Sequence, residues 1–465
     1  MLLRYLYDPN LAQASYLVGC QRTGEALVVD PNRETEQYIE LAGREGLRIT
    51  AVTETHIHAD YLSGARELAA RTGATLYLSD EGGPDWCYRF EHEGLRDGDL
   101  FMVGNLRVKA IHTPGHTPEH LSFLLTDTVN ADEPMGIFTG DFLFVGDIGR
   151  PDLLEAAAGQ AASKEPSART LFHSLQKLRE LSDWLQVWPG HGAGSACGKA
   201  LGAVPSTTLG YERRFNWAFR VTDEEEFVRQ VLEGQPEPPR YFAQMKRINR
   251  DGPPLRDGLP EPRVLTVERL RGLLEDGAIV VDTRPWDAYA KGHVPGTLGI
   301  ALDSSFATYA GTLLPYDRPL YLIVDEAEQE RALTELGRIG LDDVRGVWRT
   351  EVVNQWPGSL SRIREVSAEA FAERLSANGI TALDVRRSTE YEDGHIPGVP
   401  NLPLQKLVDQ LETVPRNAPL YVHCQSGKRS GLAASLLQSL GWEDVTNVRG
   451  GFAAWEEAGL PTTNG

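Results

Sequence analysis

The sequence predicts an α/β chain of several domains, and three observations carry that expectation. Its 465 residues exceed what one core normally organises, so roughly two to four domains are expected. Through the first half, short apolar runs of strand length alternate with polar loops and helical stretches. In the second half, a segment of about a hundred residues occurs twice.

The strand-like runs come in the order EALVVD, LRITAVTE, ATLYLS, LRVKAIH, HLSFLLT, MGIFTGD and LQVWPGH. Each ends in a polar or glycine-bearing turn, and several histidines and aspartates stand just past these ends, where α/β folds build their sites. Residues 1–233 are read as one domain on this pattern. From Gly234 to Arg263 seven prolines disfavour helix and central strand. That stretch is expected to be a linker, residues 234–263, with a short helix around YFAQMKRIN.

The repeat follows. VVDTRPWDAYAKGHVPGTLGIAL (280–302) matches ALDVRRSTEYEDGHIPGVPNLPL (382–404) at Asp282/Asp384, Arg284/Arg386, Tyr289/Tyr391 and His293/His395, all 102 residues apart. PLYLIVD then aligns with PLYVHCQ, and GLDDVRGV with GWEDVTNV. Two similar α/β domains are expected, at 264–352 and 363–462.

Composition excludes some functions. A net charge of −20 argues against nucleic acid or an anionic membrane as partner. No run approaches the eighteen or so apolar residues of a membrane span, and MLLRYLYDPNLAQ lacks the features of a secretion signal. The four cysteines, Cys20, Cys87, Cys197 and Cys424, form no CxxC pair. Free thiols in a reducing compartment fit best, so a cytoplasmic location is expected.

The first domain carries a metal-ligand constellation. His56, His58 and Asp60 alternate in a short loop after LRITAVTE; His116 in TPGHT, Asp141 in FTGD and His191 in WPGHG follow at later strand ends. Imidazole and carboxylate are ligands for zinc and iron(II). His92, His112, His120 and His173 are read as structural, as are Cys20 and Cys87. GDIGRPDL brings Asp147, Arg150 and Asp152 near the site, either beside the metal or as a salt-bridged loop. Cys197 and Lys199 lie in the glycine-rich GHGAGSACGKALG, which lacks the P-loop pattern.

These elements resemble the metallo-β-lactamase superfamily, which implies an αβ/βα sandwich with metal at one edge. The signature HxHxDH is broken here, because Tyr61 stands at its last position. A phenol, with an ordinary pKa near 10, is a poor substitute ligand, which weakens a binuclear reading. Within the superfamily the persulfide dioxygenases hold one iron, and the resemblance implies His56, His116 and Asp141 as its ligands, with one Fe(II) per chain. Two histidines and a carboxylate leave positions open for a persulfide sulfur and dioxygen. His58, Asp60, Tyr61 and His191 would then orient ligands or meet substrate. By resemblance to persulfide dioxygenase–rhodanese fusions, the Cys197 loop approaches the iron, where the thiol carries or senses a persulfide or is simply buried.

In the last domain, LYVHC ends a strand at Cys424, QSGKR turns, and SGLAASLLQSLG begins a helix. Backbone N–H groups, the helix N-terminus, Lys428 and Arg429 favour a thiolate nucleophile there. With its DVR…GHIPG…NVRGGFAAW frame the segment looks like rhodanese, whose cysteine carries a sulfane sulfur; Gln425, Ser426, Gly427, Lys428 and Arg429 would cradle it. A cysteine phosphatase or arsenate reductase wants arginine six positions after the cysteine, and Ser430 stands there. The first repeat has Val324 in place of the cysteine, followed by acidic DEAEQER, so it is expected to be silent, a structural or docking module.

The expected function is iron-dependent oxidation of a low-molecular-weight thiol persulfide to sulfite, with thiosulfate formed or used through Cys424. The alternatives are a glyoxalase II-like binuclear zinc thioesterase with an attached sulfurtransferase domain, and a non-enzymatic sulfur carrier using Cys197 and Cys424. The expected partners are the persulfide, dioxygen, sulfite and thiosulfate, with no nucleic acid and no membrane, and the resemblance implies a homo-oligomer.

Overall fold

The computed structural model describes residues 1–153, 163–195, 197–199, 201–256, 258–377, 379–416 and 418–464; within GHGAGSACGKALG, Ala196 and Ala200 lie outside them. The chain forms two compact units, Met1–Asp257 with Gly337–Gly340, and Gly258–Leu336 with Leu341–Gly465.

The first unit contains two six-stranded sheets. One is built from β1 (Leu2–Asp8), β2 (Gln13–Cys20), β3 (Glu25–Val29), β4 (Arg48–Thr53), β5 (Thr75–Ser79) and β6 (Glu93–Leu95), side by side in chain order. The other uses β7 (Leu100–Val103), β8 (Leu106–His112), β9 (Leu121–Asp127), β10 (Gly136–Gly140), β11 (Gln186–Pro189) and β12 (Thr207–Thr208), again in chain order across the sheet. All seven strand-like runs are strands; β1, β2, β6, β7 and β12 lie outside those runs.

Alternation of side chains sets the layers. Tyr16, Val18, Leu27 and Val29 face inward and pack with Val108, Phe123, Phe138 and Trp188 of the other sheet. Their neighbours Leu17, Ala26 and Val28 face outward against Tyr38, Ala42 and Leu68. The outer face of the second sheet, Ile137 and Val187, is covered by Leu171, Leu175 and Phe227. The result is the αβ/βα sandwich. The helix expected around YFAQMKRIN spans Phe242–Asp251 and belongs to this first unit.

The second unit holds two parallel sheets. In the first repeat β13 (Arg263–Val264), β14 (Ile279–Asp282), β15 (Leu298–Gly299), β16 (Leu320–Ile323) and β17 (Val344–Trp348) run in the order 13-17-16-14-15. In the second, β18 (Arg364–Val366), β19 (Thr381–Asp384), β20 (Leu420–His423) and β21 (Val445–Val448) run 18-21-20-19. The order is the same in both; the counterpart of β15 is reduced to a bridge between Asp384 and Asn401. The central strands IVVD, LYLI and LYVH are mostly buried, as parallel strands covered on both faces should be. Among the described residues no helix is long and apolar enough to cross a membrane.

Candidate metal centre and cysteine loop

The loop after β4, the turns after β8 and β10, and the end of β11 deliver their polar side chains to one edge of the sandwich. His56, His116 and Asp141 each offer a ligand atom, all within 4.8 Å of one another and all buried. Asp141 Oδ2 lies 3.8 Å from His56 Nε2 and 3.6 Å from His116 Nε2. The second ring nitrogen of each imidazole is held by protein. His116 Nδ1 meets the Arg150 carbonyl at 3.0 Å. His56 Nδ1 lies 3.0 Å from the Thr55 hydroxyl, which itself donates to Asp30 Oδ2 at 3.0 Å. With Nδ1–H donating outward, Nε2 keeps its lone pair for the centre. Gly140, in a left-handed conformation (φ 46°), makes this approach fit, because a Cβ there would fall 2.3 Å from Thr55 Oγ1.

A second group adjoins the first. Asp60, His191 and Cys197 also place ligand atoms within 4.8 Å of one another, all buried. His191 Nε2 lies 3.3 Å from Asp60 Oδ2 and 3.4 Å from Asp141 Oδ1, while its Nδ1 meets the Ala12 carbonyl at 3.0 Å. His58 turns elsewhere: its Nε2 faces Asp30 Oδ1 at 3.2 Å. Tyr61 is fully buried, its ring 4.5 Å from that of His58 and its hydroxyl donating to the Asp30 carbonyl at 3.3 Å.

The electrostatics fit a cation. Burial, aided by neighbouring imidazoles, pushes His56 well below its ordinary pKa. Burial and the Lys246 charge push His116 down to about 3. Both rings are therefore neutral and able to ligate. Burial pushes the Asp141 carboxyl up to about 6, a cost that a bound cation reverses. His58 is opposite in sense: burial lowers it, but the Asp30 carboxylate outweighs this and raises it to about 9. Among the described residues, both oxygens of Asp60, both of Asp141, and His191 Nε2 are buried without a hydrogen-bond partner. Unpaired buried carboxylates are strongly unfavourable, so the donor set matches a metal ion.

Some supporting residues carried no sequence signal that was read. Asp30, at the end of EALVVD, anchors Thr55 and His58. Asn249, from the helix in the proline-rich stretch, donates to the carbonyls of His58 and Tyr61 at 2.8 Å and accepts from Ser63 N at 2.9 Å. His120 stacks behind His56 with ring centroids 5.1 Å apart. Arg150 pairs with Asp152 at 2.6 Å while its carbonyl holds His116, so the GRPD segment is a salt-bridged loop that also orients a ligand. Cys197 is 1% exposed, and burial followed by the Asp60 and Asp141 charges pushes its thiol well above the ordinary value.

In the second unit, Cys424 follows β20 and precedes the helix Lys428–Ser439, whose N-cap Gly427 is left-handed. Gly427 N donates to Cys424 Sγ at 3.2 Å, and the Ser430 hydroxyl lies 3.5 Å from the sulfur. The two cations expected to bias the loop are not free. Arg429 forms a two-pronged pair with Glu390 at 2.6 and 2.7 Å, and Lys428 Nζ sits 2.8 Å from Asp303. In the first repeat Val324 is fully buried and the acidic residues follow directly.

An αβ/βα sandwich with a His/Asp centre at its edge, joined to two parallel-sheet repeats of which one bears a cysteine loop, defines a metal-dependent enzyme with rhodanese-like domains. Family models agree: residues 8–191 match the metallo-beta-lactamase superfamily, and residues 266–345 and 367–458 match the rhodanese-like domain. The chain belongs to the metallo-β-lactamase superfamily, in a fusion with rhodanese-like domains. Persulfide dioxygenase ETHE1 of Bos taurus is 30% identical over 196 residues, covering 41% of this chain and 68% of that protein. A hydroxyacylglutathione hydrolase of Nitrosococcus oceani is 32% identical over 193 residues, covering 41% and 66%. The crystal structure of a metallo-beta-lactamase from Staphylococcus aureus is 44% identical with a TM-score of 0.70, covering 75% of this chain and 99% of that one.

Proposed function

We propose that this chain oxidises a low-molecular-weight thiol persulfide to sulfite at one Fe(II), and passes sulfane sulfur through Cys424 to form or use thiosulfate. The observation that carries this is the His56–His116–Asp141 group beside a tyrosine where the binuclear signature needs histidine. His56, His116 and Asp141 would hold the iron, which when bound would supply the activation of dioxygen and persulfide. Overall, persulfide, dioxygen and water give free thiol and sulfite.

The protein's part is positioning. Arg150 and Thr55 fix the ring orientation of His116 and His56. Asn249 pins the backbone of the ligand loop. Burial of the whole group keeps bulk water from the reacting atoms. At the other site, the Gly427 N–H stabilises negative charge on the Cys424 sulfur, as backbone donors at a helix N-terminus do. A Cys424 persulfide that gives its outer sulfur to sulfite releases thiosulfate and returns the thiolate.

The test is oxygen uptake and sulfite release by the purified chain given glutathione persulfide, with S-lactoylglutathione as the control substrate. Persulfide-dependent uptake supports the reading; thioester hydrolysis without uptake overturns it. One observation favours that second reading: Asp60, His191 and Cys197 form a further ligand group with unpaired buried atoms, so a second metal has donors even without a histidine at position 61.

A further inference from the structure

We infer that Lys246 is an anion-binding residue of the metal centre, and that it takes a carboxylate of the organic thiol whose sulfur goes to the metal. This deepens the reading above and rests on it for the substrate class. Lys246 stands on the helix Phe242–Asp251, three positions before Asn249, so both side chains leave the same face. Asn249 reaches the ligand loop, and Arg89 N donates to the Arg250 carbonyl at 2.8 Å. The helix is thereby tied to the centre at one point and to the loop that carries Trp86 at another.

Lys246 is 6% exposed, and its Nζ lies 4.1 Å from the Trp86 ring centre. Among the described residues it makes no hydrogen bond and no ion pair. The carboxylate that acts on it is Glu119, in the same turn as His116. One oxygen of this buried glutamate accepts from Ile57 N at 2.7 Å, and the other has no partner among the described residues. Gly82, left-handed (φ 85°), lets Trp86 and Glu119 converge: a Cβ there would fall 2.8 and 2.9 Å from theirs. The charge of Lys246 is felt at His116 and at Cys197, so the ammonium bears on the centre.

A buried ammonium with only a ring face beside it is costly. A lysine kept for structure alone would be paired with Glu119, and the two stay apart. An anion that arrives with the substrate removes that cost, as a metal ion does for Asp141. The reacting sulfur belongs among His56, His116 and Asp141. Lys246 makes no ion pair with Asp141, so it meets the far end of the molecule and not the sulfur. Thiols built on an amino acid carry a carboxylate there, and an ammonium–carboxylate contact out of water is strong.

The test uses the full-length chain and a probe that does not react. S-methylglutathione, a thioether with free carboxylates, is compared with its dimethyl ester, in which they are blocked. Both are titrated calorimetrically into the parent, Lys246→Gln and Lys246→Arg. The parent should bind the acid about tenfold more tightly than the ester, the size of one charge-assisted hydrogen bond. Lys246→Gln should lose that preference while binding the ester like the parent, and Lys246→Arg should keep most of it. Lys246→Met, which keeps the stem against Trp86, carries the same comparison if the glutamine variant does not fold. A parent with no preference for the acid overturns the inference, and so does a preference that survives in the neutral variants. Loss of acid and ester binding together in Lys246→Gln assigns the lysine to structure alone and overturns it too. If the preference follows Lys246 while glutathione persulfide drives no oxygen uptake, the carboxylate site stands and the dioxygenase reading falls.

Discussion

Asp141 Oδ2 lies 3.6 Å from His116 Nε2, and neither oxygen of Asp141 has a hydrogen-bond partner among the described residues. The aspartate reaches the centre from the end of β10 and the histidine from the turn after β8, so the pair exists only when the second sheet is formed. Their spacing is too long for a hydrogen bond and suits two ligands around a shared ion.

Accordingly, His116→Ala and Asp141→Ala should each lose iron and persulfide-dependent oxygen uptake by roughly a hundredfold or more, since a lost ligand exceeds the usual 10–100-fold cost of a lost supporting contact. Sulfur loading of Cys424, in the other unit, should stay near the parent level. Parent-like oxygen uptake by either variant with added iron(II) would remove these residues from the centre.

Asn249→Ala should lower iron occupancy although the side chain touches no ligand atom. Its two donated bonds to the His58 and Tyr61 carbonyls and its bond from Ser63 N are buried, and leaving such groups unpaired costs about 1–3 kcal/mol each. Metal analysis beside a thermal melt is the check. An unchanged melt and full iron occupancy would show that the loop holds itself.

That residue also marks how far the sequence could be read. His56, His116, Asp141, His191 and Cys424 each sit in a short motif at a strand end, where local pattern and chemistry coincide. The sandwich was implied by the resemblance that these motifs carry, and the repeats by the likeness of two segments 102 residues apart. Asn249 acts on backbone nearly two hundred positions away, and Asp303 acts on Lys428 across the repeat boundary; neither has a local signature. β2 escaped notice because it is buried throughout, with Gln13 and Ser15 among its residues, so no alternation shows. The charges of Lys428 and Arg429 were read correctly as residues and incompletely as environment, since Asp303 and Glu390 come from elsewhere.

Tyr61→His should admit a second metal in zinc-supplemented protein without improving dioxygenase turnover. The substitution restores the superfamily signature beside Asp60 and His191, which already stand 3.3 Å apart. It also removes the phenol's bond to the Asp30 carbonyl, a loss of about 1 kcal/mol. Metal content still at one per chain would mean that another group, with Cys197 the nearest candidate, closes that position.

Cys424→Ser should keep oxygen uptake while product shifts from thiosulfate towards free sulfite. The hydroxyl is close to the thiol in shape but holds no sulfane sulfur. Sharing one chain raises the effective concentration of sulfite at the cysteine wherever the two sites can approach. Product analysis under limiting persulfide, at equal oxygen consumption, is the check; an unchanged thiosulfate yield would take Cys424 out of the main route.

The most direct measurement is the metal content of the full-length chain purified under anoxia, taken together with its oxygen uptake on glutathione persulfide. About one iron per chain, with uptake that rises and falls with iron occupancy across partly loaded samples, is the result expected of a facial centre made by His56, His116 and Asp141. Two zinc ions per chain, with activity that follows zinc and no oxygen consumed, would contradict it.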